Sequence, residues 1–248
     1  MRQGRSFDEE RPVLIRTVAE TGSTNSDMAV LAREGATEGL WLRAERQSHG
    51  RGRQGRSWES PPGNLYTSTL VRLRPDDPPA ATLALVAAVA LQELIEDHAN
   101  GAAVQIKWPN DLLIAGAKVS GILLERVDDA VVVGFGVNLD AYPSGTDRPA
   151  TSLRTAAGSA PDAADFLEAL ASGFATWLER WRSEGIAAIR RRWLEKAHPP
   201  GTALAVSEGR EGAVIKGVFD GIDEGGGLRL RLADGAVRTI QAGDIFLI

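Results

Sequence analysis

The sequence predicts an α+β protein: a mixed β-sheet domain packed with helices over residues 1–198, then a small β-barrel over residues 199–248. Three observations carry that reading. The 248 residues are 43% hydrophobic, enough for one large domain with a small appendage. Apolar runs of strand and of helix period both occur before His198. After His198-Pro199-Pro200-Gly201 the texture changes to short apolar runs separated by Gly/Asp turns.

Taken in order, Ser23-Thr24-Asn25 offers capping side chains just before the periodic Met28, Ala29, Leu31 and Ala32, so a helix starts there. Residues 40–45 read as a strand. Residues 46–57 contain no apolar side chain and three glycines, and read as a loop. Residues 64–73 alternate as a strand does. Residues 79–99 read as a long helix with proline near its first turn and apolar residues nearly all round, hence buried against a sheet. Residues 104–108, 112–114 and 119–125 read as strands, the last two joined by a turn at Gly116. Residues 130–139, with Val131-Val132-Val133, read as a central strand. Residues 161–182 and 185–197 are helical. The runs 204–206, 213–219, 228–232, 237–241 and 245–248 build the barrel.

Composition excludes several classes. With no cysteine there is no disulfide, thiolate metal site or Cys nucleophile. The most apolar run, 80–95, is broken by Thr82, Gln92 and Glu93, and the first twelve residues are charged and lack an apolar signal core. A soluble, cytoplasmic protein is expected, with no membrane partner. The net charge of −5 argues against a surface built throughout for nucleic acid. Four of the 28 basic residues are lysines, and two of those, Lys107 and Lys118, lie within twelve residues of each other.

Two segments concentrate chemistry. Between Arg43 and Arg56, five arginines stand against Glu45, a local charge of +4, and the core of this stretch is Gly50-Arg51-Gly52-Arg53-Gln54-Gly55-Arg56, followed by Trp58. Glycines let backbone approach a ligand closely, and guanidinium groups bind phosphate and carboxylate. On its own the loop fits a solvated turn, an RNA-binding segment or a phosphate-handling lid. The second segment, Lys107-Trp108-Pro109-Asn110-Asp111, is a strand corner, since Pro109 keeps Trp108 extended. The hairpin after it returns Lys118 toward this corner. Strict alternation puts Lys118 on one face with Ser120 and Ile122, opposite Val119, Gly121 and Leu123. Trp108 is expected in the core, and His49, His98 and His198 have no partners for a catalytic triad.

Ser23-Thr24-Asn25, Gln47 ahead of the Arg/Gly loop, Lys-Trp-Pro-Asn-Asp, Lys118-x-x-Gly-Ile-Leu and Gly134-Phe135-Gly136-Val137-Asn138 occur in that order. Together they closely resemble the biotin–protein ligases (biotin–[acetyl-CoA-carboxylase] ligases), over residues 13–248. The resemblance implies a catalytic domain of the biotin/lipoate-ligase kind and an SH3-like C-terminal barrel. It implies ATP-dependent conversion of biotin to biotinyl-5′-adenylate, with Mg²⁺ accompanying the ATP, and transfer of biotin to a lysine of a biotin carboxyl carrier protein. By similarity, Ser23, Thr24, Asn25, Gln47, Arg51, Gly52, Arg53 and Lys118 contact biotin. Arg51, Arg53, Arg56, Trp58, Asn110, Lys118 and Asn138 surround the adenylate. Lys118 and Arg53 would offset the charge of a carboxylate attacking phosphorus.

The nucleophile of the second step is the carrier's lysine, so the enzyme needs no Ser, Cys or His of its own. Some group must help to deprotonate that lysine, and Asp111 is the candidate. No metal site built from protein side chains is expected. The dozen residues before the first strand are too few for an N-terminal winged helix, so a monofunctional ligase without DNA binding is expected, as monomer or homodimer. The rivals are a lipoate–protein ligase of the same fold and, from another class, an RNA-binding module built on the loop and the barrel. The octanoyl-transferring relatives use a cysteine, which this chain lacks.

Overall fold

The computed structural model describes residues 13–145, 148–208 and 214–247. The charged first twelve residues lie outside them, as do Ala213 and Ile248 at the ends of two expected barrel runs. In chain order the elements are β1 (Leu14–Thr21), α1 (Thr24–Arg33), β2 (Leu40–Gln47), a 3-10 turn (Arg53–Gly55), β3 (Leu65–Arg72), a second 3-10 turn (Ala80–Thr82), α2 (Leu83–His98), β4 (Val104–Lys107), β5 (Asp111–Ile114), β6 (Ala117–Val127) and β7 (Ala130–Val137). They continue with α3 (Leu153–Ala157), α4 (Ala163–Glu184), α5 (Ile186–Lys196), β8 (Ala203–Ser207), β9 (Val214–Ile222), β10 (Leu228–Arg231), β11 (Val237–Ile240) and β12 (Asp244–Leu247). The architecture is the α+β arrangement expected from the sequence.

A seven-stranded sheet runs β1-β2-β3-β7-β6-β5-β4, with β1 parallel to β2 and the other pairs antiparallel. The alternation of β7 shows how the sheet divides its faces. Val131, Val133, Phe135 and Val137 join α2 and α4 in the main core, and Ala130 and Val132 face α1 around the fully buried Met28. Gly134 and Gly136 continue that second face, where the sheet has nothing bulkier than hydrogen. The functional cavity lies over this bare stretch.

Three details depart from the sequence reading. The long helix begins as a 3-10 turn, in which Thr82 Oγ1 donates to Pro79 O at 2.6 Å and accepts Trp181 Nε1 at 2.8 Å. Strand β2 extends to Gln47 because its pairing with β1 continues through Glu20–Arg46 and Thr21–Gln47, past the last apolar residue. Helix α3 has only five residues, too few for a periodic signal, and is held by Ser152 accepting the Thr155 N–H and by Gly158 at φ 86°.

A second sheet, β11-β10-β9-β8-β12, forms the C-terminal unit. It docks on the first through Arg190 Nε to Ile222 O at 2.7 Å, the Trp193–Phe219 contact and Trp108 Nε1 to Gly226 O at 3.0 Å. Trp108 is thus a core residue, as expected, and it fixes the barrel against the Lys-Trp-Pro-Asn-Asp corner. That docking carries the start of β12, Gly243-Asp244, up to the Arg/Gly loop. No helix among the described residues is long and apolar enough to cross a membrane.

Candidate active site

One end of the cavity is polar and neutral at its floor. Ser23 occupies the N-cap position of α1, but its side chain caps nothing and lines the cavity instead, a correction to the capping role expected of it. Gln47, at the extended end of β2, accepts the Thr24 N–H at 2.9 Å and donates to Ser60 Oγ at 3.2 Å. Ser68, fully buried on β3, donates to Asn25 Oδ1 at 2.6 Å and lies 2.8 Å from Thr24 Oγ1. Asn25 Nδ2 in turn donates to Glu125 Oε2 at 2.8 Å and to Leu123 O at 3.3 Å. The carboxamide lies against bare backbone: a Cβ at Gly134 would come within 2.8 Å of Asn25 Cγ. Arg51 closes this end from the loop, its Nη2 donating to both Glu125 oxygens at 2.9 and 3.1 Å.

The other end is charged. Lys118 Nζ pairs with Asp111 Oδ1 at 2.6 Å across the β5–β6 hairpin. The face expected for Lys118 is corrected here. Pairing steps from Leu112–Ser120 to Leu113–Lys118, leaving Val119 as the extra residue of a β-bulge. The bulge reverses the alternation, so Val119 enters the core with Ile122, and Lys118 turns to the cavity with Gly121 and Leu123. A Cβ at Gly121 would meet Lys118 Nζ at 3.2 Å and the Trp58 ring at 3.1 Å. Trp58 lies over Gly136 as well, where a Cβ would come within 2.6 Å of the indole, and the lysine stands 5.4 Å from its ring centroid. The two glycines of Gly134-Phe135-Gly136 therefore make room for Asn25 and Trp58 respectively.

Arg53 Nη1 donates to Asn110 Oδ1 and to Gly243 O, both at 3.3 Å. Arg56 pairs with Asp244, which Arg148 approaches at 3.5 Å. Burial alone would raise the Asp244 carboxyl, but the Arg56 hydrogen bond and the neighbouring guanidinium charges hold it below its ordinary value. Lys107, whose pKa is lowered by burial and then by Arg148, lines the same cavity. Asn110 Nδ2 is bonded to Ile122 O, so its amide braces the hairpin and leaves its carbonyl to Arg53. Asn138 lines the outer basin with Arg56, Trp58 and Lys118, and its Nδ2 is bonded to Thr151 O at 3.0 Å. All the other expected site residues, Gly52 included, line the inner cavity.

That inner cavity, about 130 Å³, opens into a basin of about 770 Å³ between the two units, and Asp111, Lys118, Trp58 and Asp244 border both. The histidines take no part. His98 lies against Phe166, His49 is bonded to Ser48, and His198 is buried, with burial and then Lys107 lowering its pKa. Ser68, Glu125, Lys107, Arg148 and Asp244 were not singled out as site residues from the sequence. For Ser68 and Glu125 the signal was a polar side chain in register with the glycine face. For Arg148 and Asp244, which reach the site through chain segments far apart in sequence, there was none.

Residues 23–140 match the Biotin/lipoate A/B protein ligase family, and residues 207–248 match the biotin protein ligase C-terminal domain. A curated biotin–[acetyl-CoA-carboxylase] ligase of Paracoccus denitrificans is 38% identical over 240 residues, spanning 92% of this chain and 98% of that protein. This chain belongs to the biotin–protein ligases. The bifunctional ligase/repressor BirA of Bacillus subtilis is 35% identical over 91% of this ligase and 71% of its own length. Among solved structures, the biotin protein ligase of Aquifex aeolicus in complex with biotin and ATP superposes with a TM-score of 0.82 at 27% identity, covering 95% of this chain and 98% of that one. These relatives favour the biotin reading over the lipoate one.

Proposed function

We propose that this chain activates biotin with ATP and transfers it to a lysine of a biotin carboxyl carrier protein, with the roles distributed as follows. The supporting observation is the polarity of one continuous cavity: Thr24, Asn25 and Gln47 at a neutral hydrogen-bonding end, Lys118 and Arg53 at a cationic one. Biotin has the same division, a neutral cyclic urea at one end and a carboxylate at the other.

In the first step the biotin carboxylate oxygen attacks the α-phosphorus, and the bond to the bridging oxygen breaks, releasing pyrophosphate. Lys118 and Arg53 face both anions and offset their repulsion as charge builds on phosphorus. Lys107 and Arg148 add positive charge on the same side. Magnesium bound to the nucleotide would supply further positive charge against the phosphates. Among the described residues, the carboxylates facing this cavity are Asp111 and Asp244, each already paired with a cation, and that donor set suits a metal ligated mainly by phosphate oxygens. The mixed anhydride is prone to hydrolysis, and Arg51 to Arg56, joined to Glu125 and Asp244, cover it.

In the second step a carrier lysine approaches through the outer basin. Asp111 borders both cavity and basin, so it is placed to take the proton as the amine attacks the biotinyl carbonyl and AMP departs. In the unliganded site Asp111 holds Lys118; once Lys118 turns to the adenylate, that carboxylate is released for the incoming neutral amine. The setting is the cytoplasm, where ATP and carboxylase carriers are found.

The test is ATP–pyrophosphate exchange with purified protein. Exchange is expected with biotin and not with lipoate, followed by a biotin-sized mass increase on a carrier lysine. Exchange driven by lipoate alone would overturn the substrate assignment. Steeply salt-dependent polynucleotide binding without exchange would favour the RNA-binding reading.

A further inference from the structure

Glu125 receives hydrogen bonds from two groups with different duties. Its Oε2 accepts Asn25 Nδ2 at 2.8 Å, and both of its oxygens accept Arg51 Nη2 from the Arg/Gly loop. The consequence for Asn25 follows from counting donors. Both hydrogens of Nδ2 are directed at acceptor-only atoms, Glu125 Oε2 and Leu123 O. Ser68 can donate or accept and does not select an orientation, whereas a carboxylate only accepts. Glu125, through the shorter and charge-assisted of these two bonds, and the Leu123 carbonyl together fix the amide with Oδ1 on the side of Ser68. That oxygen has two lone pairs and receives one hydrogen bond from Ser68, leaving one acceptor site for a ligand N–H.

The Arg51 pair cannot matter through its bare energy. The two side chains are 45% and 33% exposed, where an ion pair contributes little. What it supplies is a connection: the loop is fastened to the carboxylate that orients the ring-binding amide. The loop runs on to Arg53 and Arg56 at the charged end, so the ring end and the reactive end are covered by one segment with its first arginine anchored at Glu125.

Building on the biotin-ligase reading, we infer that Glu125 is a positioning residue with two effects. It directs the Asn25 carbonyl to a ureido N–H of biotin, and it secures the Arg51 end of the loop over the occupied pocket, so that ring recognition and retention of the adenylate are coupled. A dithiolane ring offers no N–H, and this arrangement selects against it.

The experiment compares the wild type with Glu125→Ala, Glu125→Gln, Arg51→Met and the Glu125→Gln/Arg51→Met double variant. It reads KM and kcat for biotin in ATP–pyrophosphate exchange, the escape rate of preformed biotinyl-adenylate, and thermal melting. Glu125→Ala is expected to raise the biotin KM by about tenfold or more, as loss of a charge-assisted bond implies, with the KM for ATP and the melting temperature little changed. Glu125→Gln keeps an acceptor for Asn25 and should restore most of that KM while adenylate still escapes quickly. Arg51→Met should reproduce the fast escape, and the double variant should escape no faster than Glu125→Gln. A wild type lacking biotin-dependent exchange refutes the underlying reading and this assignment with it. An active wild type whose Glu125→Ala variant keeps its biotin KM and adenylate retention refutes the assignment alone. A melting loss with all kinetic constants falling together, not rescued by Gln, reduces Glu125 to a structural residue and overturns it as well.

Discussion

Gly134 is the position where one methyl group tests the geometry of the ring pocket. A Cβ there would lie 2.8 Å from Asn25 Cγ and 3.1 Å from Nδ2, nearer still to Oδ1, whereas ordinary contact begins at 3.4 Å. Gly134 is in mid-strand between β3 and β6, so its backbone cannot retreat without breaking both ladders. The Asn25 carboxamide must move instead, and it loses its bonds to Ser68 and Glu125. One neutral and one charge-assisted hydrogen bond together are worth about 2–4 kcal/mol. Expressed on ring binding alone, that is roughly a 30-fold to several-hundred-fold rise in the biotin KM. Gly134→Ala should show this in ATP–pyrophosphate exchange while remaining folded, because α1 is still anchored by the buried Met28. Gly136→Ala provides the contrast. Its methyl displaces Trp58, 2.6 Å away, and should raise the KM for ATP instead. A Gly134→Ala enzyme with wild-type biotin KM would refute the placement of Asn25 against β7.

Further expectations follow from the charged end and its supports. Asp111→Asn should form adenylate at a near-normal rate and transfer biotin to the carrier about 10²–10⁴-fold more slowly; equal loss in both half-reactions, measured by quench-flow, would refute the proton-acceptor role. Arg53→Gly should release adenylate into solution, and full retention on a desalting column would count against the loop as a cover. Asp244 titrates in the folded protein below the ordinary aspartate value of about 3.9, so its stabilisation is complete above that pH and lost as the pH falls through its folded value. The stability difference between wild type and Asp244→Asn, from urea midpoints, should accordingly be flat near neutrality and shrink in acid; growth toward acid would reverse the sign. Arg182, buried on α4, bonds Glu38, Asp77 and the Arg72 carbonyl. Arg182→Met should cost about 3–5 kcal/mol by removing the buried guanidinium that Glu38 and Asp77 share, partly recovered in combination with Glu38→Gln and Asp77→Asn.

Much of this was legible in the linear sequence because it is local. The apolar helical run of residues 79–99, the turn at Gly116 and the Gly/Asp punctuation after His198 each follow from neighbours a few positions apart, and each has its counterpart in the structure, the helix over Leu83–His98. The Arg/Gly loop and the Lys-Trp-Pro-Asn-Asp corner announced their chemistry by residue type, and they do border one cavity. Lys118 marks the limit. Period-two alternation assigned it the wrong face, since a bulge is a property of how β6 pairs with β5 and cannot be seen in β6 by itself.

The sequence by itself thus determined the class of fold, the order of its elements and which short segments carry the charge and hydrogen-bonding groups. Only the tertiary structure decided which of those groups meet. Glu125 joins Asn25 to Arg51 across 100 and 74 positions of chain, and Asp244 joins Arg56 across 188. Contacts of that span depend on sheet register and on how the barrel docks. Both are set by the whole buried core, in which no single residue carries the information.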